Sequence, residues 1–430
     1  MTLYYCDLAA DFVDRTGADS TTNVLTGPGG FTNGITGSGA ATALAAGDTL
    51  YLKGTADLSK LVKCTVDADK TGTWVIGDAV QNHNDGGGAS GDDWVGKLVA
   101  ISATVMLVQI NAASTNYASV AIADGIDNTT RSDTLAGANF TAKACSGIQI
   151  NGNSGTTGAG FINVIGCDAS WTARGGQATL DCNSLAVNAI LSNAADYWRI
   201  EHLTLTRATG SGFLATNAEV YWTWYHCRSH TNTNSGWSCG VNEHDVANFI
   251  NCIADSNANG FSLDSDYLTI LFCRANGNTD SGFVMAGDFS VVYGCLSYEN
   301  TNAHGFQDTE DYKWYFNCVG ADNGGSGCSV GTDDIINWWI GCRFTGNGAY
   351  GITTGTAHLS DFEDWNVFEG NISGDLNNIA RGGGIHSYGD HANHISDPAD
   401  DGFVNSANDN YNVADGKELD SVEIDLFWDA

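Results

Sequence analysis

Six stretches decide the fold: CRSHTNTNSGW at 227–237, CIADSNANGF at 252–261, CRANGNTDSGF at 273–283, CLSYENTNAHGF at 295–306, CVGADNGGSGC at 318–328 and CRFTGNGAYGI at 342–352. Each opens on a cysteine (Cys227, Cys252, Cys273, Cys295, Cys318, Cys342) and places an asparagine five positions later (Asn232, Asn257, Asn278, Asn300, Asn323, Asn347). A glycine follows after two to four intervening residues (Gly236, Gly260, Gly282, Gly305, Gly327, Gly351). The residue after it is large and apolar in five of the six, Trp237, Phe261, Phe283, Phe306 and Ile352, with Cys328 the exception. The cysteines are 25, 21, 22, 23 and 24 residues apart.

A repeat of that length holds three short strands and three turns, and each copy can bury its apolar residues only against its neighbours. Leucine-rich repeats share the length, but their leucine skeleton is missing here. The pattern therefore predicts an all-β chain, a right-handed parallel β-helix whose coils stack about 4.8 Å apart. Cysteine is a small hydrophobe suited to an inward column. The asparagines should form a ladder at one turn, each amide bonding the next. The repeat glycine is expected to turn the chain with φ > 0, and the apolar residue after it to begin a strand with alternate residues inward.

Working outward, Leu203 and Gly212-Phe213 form one earlier coil, with Ala208 where the asparagine would stand. Residues 64–200 repeat less cleanly and are expected to hold long turns such as QNHNDGGGASGDDW at 81–94. The opening TLYYCDLAADFVDRTG, GPGG at 27–30 and ATALAAGDTLYLKG at 41–54 are similar to the beginning of many β-helices. With the repeats, they make the chain resemble the pectate-lyase-like right-handed β-helix superfamily, its copper-site-maturation-like repeats in particular, of the kind found in phage virion proteins and tailspikes. The organisation expected is an N-terminal cap at 1–40, the parallel β-helix at 41–375 and an acidic capping or assembly segment at 376–430. The last ends in SVEIDLFW at 421–428, where Val422, Ile424, Leu426 and Trp428 alternate like a half-buried strand that caps its own helix or pairs with another subunit.

The chain has 430 residues and a formal net charge of -33 (17 Lys+Arg against 50 Asp+Glu). Such a surface repels nucleic acid and anionic membranes, so neither is expected as a partner. With 54 glycines, 2 prolines and 43% hydrophobic residues, the composition suits many tight turns around a packed interior. The first residues carry no basic start and no long apolar run, so synthesis in a cytoplasm without a signal peptide is expected, with the 13 cysteines reduced.

In a stacked fold, chemistry lies in columns. Asp196, Asp245, Asp266, Asp288 and Asp311 stand seven residues before the core position. Stacked carboxylates either cap their own turns or share a cation, and a hard ion such as Ca²⁺ would suit the column at Asp245, Asp266, Asp288 and Asp311. No cofactor is otherwise required. Tyr197, Tyr221, Tyr267, Phe289 and Tyr312 form a column six before the core position. Two adjacent apolar columns lie three before it (Ile200, Trp224, Phe249, Ile270, Val292, Tyr315, Trp339) and two before it (Tyr225, Ile250, Leu271, Tyr293, Phe316, Ile340). Alternation cannot turn both inward, so either the chain bends there or one column faces outward as an interface or a sugar platform. His202 and His226 match in successive coils, with His230 and His244 nearby, but without the convergence that a zinc site needs.

The resemblance implies polysaccharide chemistry in many relatives, but the motifs that would carry it are missing. There is no GHG and no RIK, and Arg199-Ile200-Glu201 lacks the lysine. Hydrolysis of a neutral glycan needs only two carboxylates at suitable spacing. Asp308, Glu310 and Asp311, or Asp333 and Asp334, are the candidates. The expected role is structural or adhesive: a virion component such as a capsid decoration, fibre or tailspike-like protein at the virion surface, whose partners are other virion or self subunits and surface polysaccharide. The alternative is a polysaccharide hydrolase or lyase.

Overall fold

The computed structural model describes residues 2–12, 25–36, 44–83, 94–111, 125–151, 154–216, 221–239, 247–310, 312–331, 337–358, 362–364 and 366–379, with short strands at 394–395, 403–405 and 410–413. The chain is a parallel β-solenoid with two compact units, Met1–Ser265 and Asp266–Ala430.

In the first unit the coils build three parallel sheets. One runs Leu25–Thr26, Leu3–Asp7, Thr49–Lys53, Ile162–Gly166, Trp198–Glu201, Trp222–Tyr225 and Ala247–Ile250. The second joins Thr55–Asp57, Ala178–Asp181, Leu203–Thr206, Arg228–His230 and Ile253–Asp255. The third joins Ile148–Asn151, Ile190–Asn193, Phe213–Ala215, Trp237–Cys239 and Phe261–Leu263. Parallel pairing thus begins at Leu3, inside the segment expected only to cap the helix. A helix at Gly27–Thr36 lies in the same segment, with Phe31 fully buried.

The second unit repeats the three-strand coil. Its first strands are Thr269–Leu271, Ser290–Tyr293, Lys313–Phe316, Asn337–Ile340 and Phe362–Asp364. Its second strands run from Arg274–Asn276 through Asn366–Glu369 to a last pairing with His394–Ile395, and its third run from Phe283–Met285 to Gly374–Ile379. The terminal stretch 421–428 lies outside the described residues.

The solenoid is interrupted where long turns were expected. Residues Leu61–Cys145 hold a seven-stranded antiparallel sheet within the range read as parallel β-helix. Its strands alternate: in Leu61–Val66 the side chains of Val62, Cys64 and Val66 enter a core with Trp74, Trp94, Leu98 and Met106. A tight connection at 101–105, where Ser102 N–H donates to the Val105 carbonyl at 2.7 Å, reverses the chain and makes the pairing antiparallel.

Single left-handed residues make the corners. One corner holds Tyr197, Tyr221, Tyr267, Phe289 and Tyr312, a second His202, His226, Asn251, Phe272 and Asn317, and a third Arg207, Thr231, Ser256, Glu299 and Asp322, all with φ between 51° and 61°. Each costs an L-residue about 1–2 kcal/mol. Stacking offsets part of it: Tyr197–Tyr221, Tyr267–Phe289 and Phe289–Tyr312 lie parallel with centroids 4.5, 5.3 and 4.8 Å apart, contacts worth about 0.5–1.5 kcal/mol each.

The repeat glycines are not at these corners. None of the six has a left-handed φ, which corrects the reading of them as turn formers. They are required by close approach between coils. A Cβ on Gly305 would stand 2.6 Å from the Gly327 carbonyl oxygen and 2.8 Å from Asn323 Nδ2, and one on Gly236 would stand 2.6 Å from the Gly260 carbonyl oxygen.

Inside, the six repeat cysteines are buried, with no disulfide among the chain's 13 cysteines. Each thiol of Cys252, Cys273, Cys295 and Cys318 donates to the carbonyl two residues back at 3.4–3.5 Å. The asparagines bond in series. Asn232 donates from N and Nδ2 to Asn257 Oδ1 at 3.0 and 2.9 Å. In the second unit the same pair of bonds links Asn278 to Asn300, Asn300 to Asn323, Asn323 to Asn347 and Asn347 to Asn371.

Candidate functional site

The column three before the core position points inward: Ile270, Val292, Tyr315 and Trp339 are fully buried. Strand alternation therefore turns its neighbours outward. In the second unit these are Leu271, Tyr293, Phe316 and Ile340, in register with one another, and on the same outer face Val291, Trp314 and Trp338. The outward reading of the aromatic column is the one the geometry bears out. The left-handed corner beside it adds Tyr267, Phe289 and Tyr312. Tyr267 is 53% exposed, Trp338 39% and Tyr293 38%. Phe272 lies over the neighbouring coil, and a Cβ on Gly294 would meet its ring at 2.8 Å.

The result is an apolar, ring-rich face on a chain of net charge -33. Partly exposed apolar side chains grouped on one face are a candidate binding surface. Its rungs repeat at the coil spacing of about 4.8 Å. A ring face carries negative quadrupole density and attracts weakly positive C–H groups. The face can therefore hold the C–H side of a neutral sugar chain laid along it. It is poorly suited to polyanions, because the surrounding surface is acidic.

Of the candidate catalytic carboxylates, the two described, Asp308 and Glu310, do not form a pair on this face. Asp308 is 1% exposed and turned into the core, where its Oδ1 lies 3.0 Å from Lys313 Nζ and its Oδ2 accepts from the Tyr315 hydroxyl at 3.2 Å. Burial and the adjacent Asp308 carboxylate push the Tyr315 phenol well above its ordinary range. Glu310 is exposed, and its carbonyl accepts from Lys313 Nζ at 2.8 Å. Asp311, Asp333 and Asp334 lie outside the described residues. The acidic column is seen at Asp266 and Asp288, where Asp266 Oδ1 accepts the Asp288 backbone N–H at 2.7 Å, a bond that ties one coil to the next. Asp245 and Asp311 of that column fall outside the described residues. Among the described residues no three His, Cys, Asp or Glu side chains converge on a metal position.

In the first unit His202 and His226 stack at 5.1 Å, and burial, then His226, holds the His202 pKa below its ordinary value. His244 is outside the described residues. Glu201 is 1% exposed, held by Arg174 at 2.5 Å and Arg199 at 2.6 Å. It is a buried ion cluster, not a hydrolase motif. Three participants escaped the sequence reading. Trp314 and Trp338 stand four before the core position, a column with Thr269 and Val291 earlier that hides its apolar end. Lys313 stands five before it, where Trp198, Trp222 and Leu268 occupy earlier coils. In the second unit that column turns polar, with Ser290 and Asn337 in register beside Lys313, and a lysine at an inward position was the available signal.

No protein-family model matches the chain, and no curated protein matches it. Among solved structures, pectate lyase Pel9A is similar with a TM-score of 0.47 at 15% identity, over 97% of this chain and 90% of that one. Full-length tailspike protein 2 from an Escherichia coli O157:H7 bacteriophage gives 0.40 at 10% identity, over 71% of this chain and 48% of that one. An alginate lyase from Paenibacillus sp. str. FPU-7 gives 0.40 at 12% identity, over 54% of this chain and 89% of that one.

Proposed function

We propose that this chain is a non-enzymatic structural and adhesive β-solenoid, a phage virion component of the capsid-decoration, fibre or tailspike-like kind, and that its aromatic face binds surface polysaccharide. The observation that carries the reading is the outward alignment of Leu271, Val291, Tyr293, Trp314, Phe316, Trp338 and Ile340 across successive coils. A solenoid supplies stiffness: in the second unit successive coils are tied by three parallel sheets and by the Asn278–Asn300–Asn323–Asn347–Asn371 ladder. The ring face supplies adhesion without any need for converging acids. The burial of Asp308 supports the non-catalytic reading, since its carboxylate is engaged with Lys313 and Tyr315 in the core, out of reach of a glycan laid on the outer face.

The expected partners are other virion or self subunits and a surface glycan, at the virion surface. Two assays on the full chain test this. Co-sedimentation with purified particles supports the virion role, and absence from particles counts against it. Incubation with mixed neutral and acidic polysaccharides should release neither reducing ends nor unsaturated sugars. Turnover that survives purification would replace this reading with that of a polysaccharide hydrolase or lyase.

A further inference from the structure

The pair Asp308–Lys313 differs from every other ion pair among the described residues. In each of the others the basic side chain is at least 20% exposed, from Lys70 at 20% to Arg174 at 51%. Lys313 and Asp308 side chains are both 0% exposed. The Lys313 ammonium is held by the Glu310 carbonyl at 2.8 Å and faces Asp308 Oδ1 at 3.0 Å. The Tyr315 hydroxyl donates to the other carboxylate oxygen at 3.2 Å. The Lys313 backbone is fixed in turn, its N–H donating to buried Asn337 Oδ1 at 3.0 Å. Amine, carboxyl and a proton donor are thus locked together in a dry interior.

We propose that Asp308 and Lys313 are a site of self-catalysed amide formation, joining Lys313 Nζ to Asp308 Cγ. Burying a charged pair has a large desolvation cost, and the amide removes both charges. Fixed contact makes the condensation intramolecular, which can be worth an effective concentration of about 10⁵–10⁸ M. The step balances without any co-reactant. One proton passes from the ammonium to the carboxylate, leaving an amine and a carboxylic acid. The nitrogen lone pair forms the N–C bond at Cγ. As the C–Oδ2 bond breaks, that oxygen leaves as water, taking its hydrogens from the acid and from the amine. The Tyr315 hydroxyl, kept protonated by burial, stabilises the charge that develops on Oδ2. The bond would staple the third strand of one coil (Phe306–Asp308) to the first strand of the next (Lys313–Phe316). It would fix the corner that carries Tyr312, the last described rung of the Tyr267–Phe289–Tyr312 stack.

Mass spectrometry of the intact, denatured chain decides it. The expected mass is one water below that of the sequence, with fragmentation of a digest placing the loss in a peptide that joins Asp308 to Lys313. Asp308→Asn, checked for folding by circular dichroism, should instead lose one ammonia, and Lys313→Met should show its full mass whether or not that variant folds. A wild-type chain at full sequence mass, a loss located elsewhere, such as at an Asp-Gly step, or a loss retained in Lys313→Met would overturn the proposal.

Discussion

Asn300 is the rung whose removal reports most on the fold. It is fully buried. Its Oδ1 accepts two bonds, from Asn278 N at 3.1 Å and Nδ2 at 3.0 Å. Its Nδ2 donates to Asn323 Oδ1 at 2.7 Å and Ser297 Oγ at 3.0 Å. Asn300→Ala removes the acceptor of two buried donors in the coil before it and a donor to the coil after it. An unsatisfied buried polar group costs about 1–3 kcal/mol, and the relaxed site should recover part of this, so a loss of roughly 2–4 kcal/mol is expected. Asn300→Asp keeps the acceptor but sets a carboxylate against Asn323 Oδ1. Burial raises the pKa of that carboxyl, so the variant should be weak at neutral pH and regain stability as the pH falls and the acid becomes a donor. Urea unfolding followed by tryptophan fluorescence, with midpoints compared at equal slope, measures both. A change under about 0.5 kcal/mol for Asn300→Ala would refute the ladder as a stabilising element.

Three further outcomes follow from the same geometry. Gly305→Ala should destabilise by more than about 1 kcal/mol, since its Cβ would meet the next coil at 2.6 Å; Gly277→Asn, at φ +60° with nothing within 4 Å of a Cβ, should be nearly neutral in the same melt. Burial holds His304, His202 and His230 below the ordinary 6.5, and His304 Nδ1 accepts the Ser326 N–H at 3.0 Å. The unfolded chain then takes up protons that the fold refuses. Stability should be flat above pH 6.5 and fall as the pH drops through it; a melting temperature unchanged from pH 8 to 5 would contradict this. Because Asp266 already accepts the Asp288 backbone N–H, a chelator should leave the melting temperature unchanged, while a drop that Ca²⁺ restores would establish the proposed cation column.

What could be read in advance was whatever repeats identically. Cysteine and asparagine recur because every coil offers the same inward slot and the same corner, so periodicity alone placed them. The glycine was located correctly but explained wrongly: its constraint is the distance from Gly305 to Gly327, a relation between coils that no single repeat displays. The antiparallel sheet of Leu61–Cys145 was illegible as such, because hairpins do not recur at the coil period and their alternation matches that of any strand. The outer face was half legible. Tyr293 and Phe316 stood out as a column, whereas Trp314 and Trp338 join it only when register is known. Asp308 was one of several candidate acids because an acidic sequence offers many, and its burial beside Lys313 was not legible there, since it depends on how one coil's third strand meets the next coil's first.

The central claim is that the ring face binds a neutral glycan without cutting it. The direct test is calorimetric titration of the full chain with a panel of neutral and acidic surface polysaccharides, run beside Trp338→Ala, whose partly exposed ring can be removed without opening the core. The account predicts heat with at least one neutral glycan, none with polyuronates, and a roughly tenfold or greater weakening in the variant, about 1.4 kcal/mol. Equal affinity for wild type and variant, or binding confined to polyuronates, would contradict it.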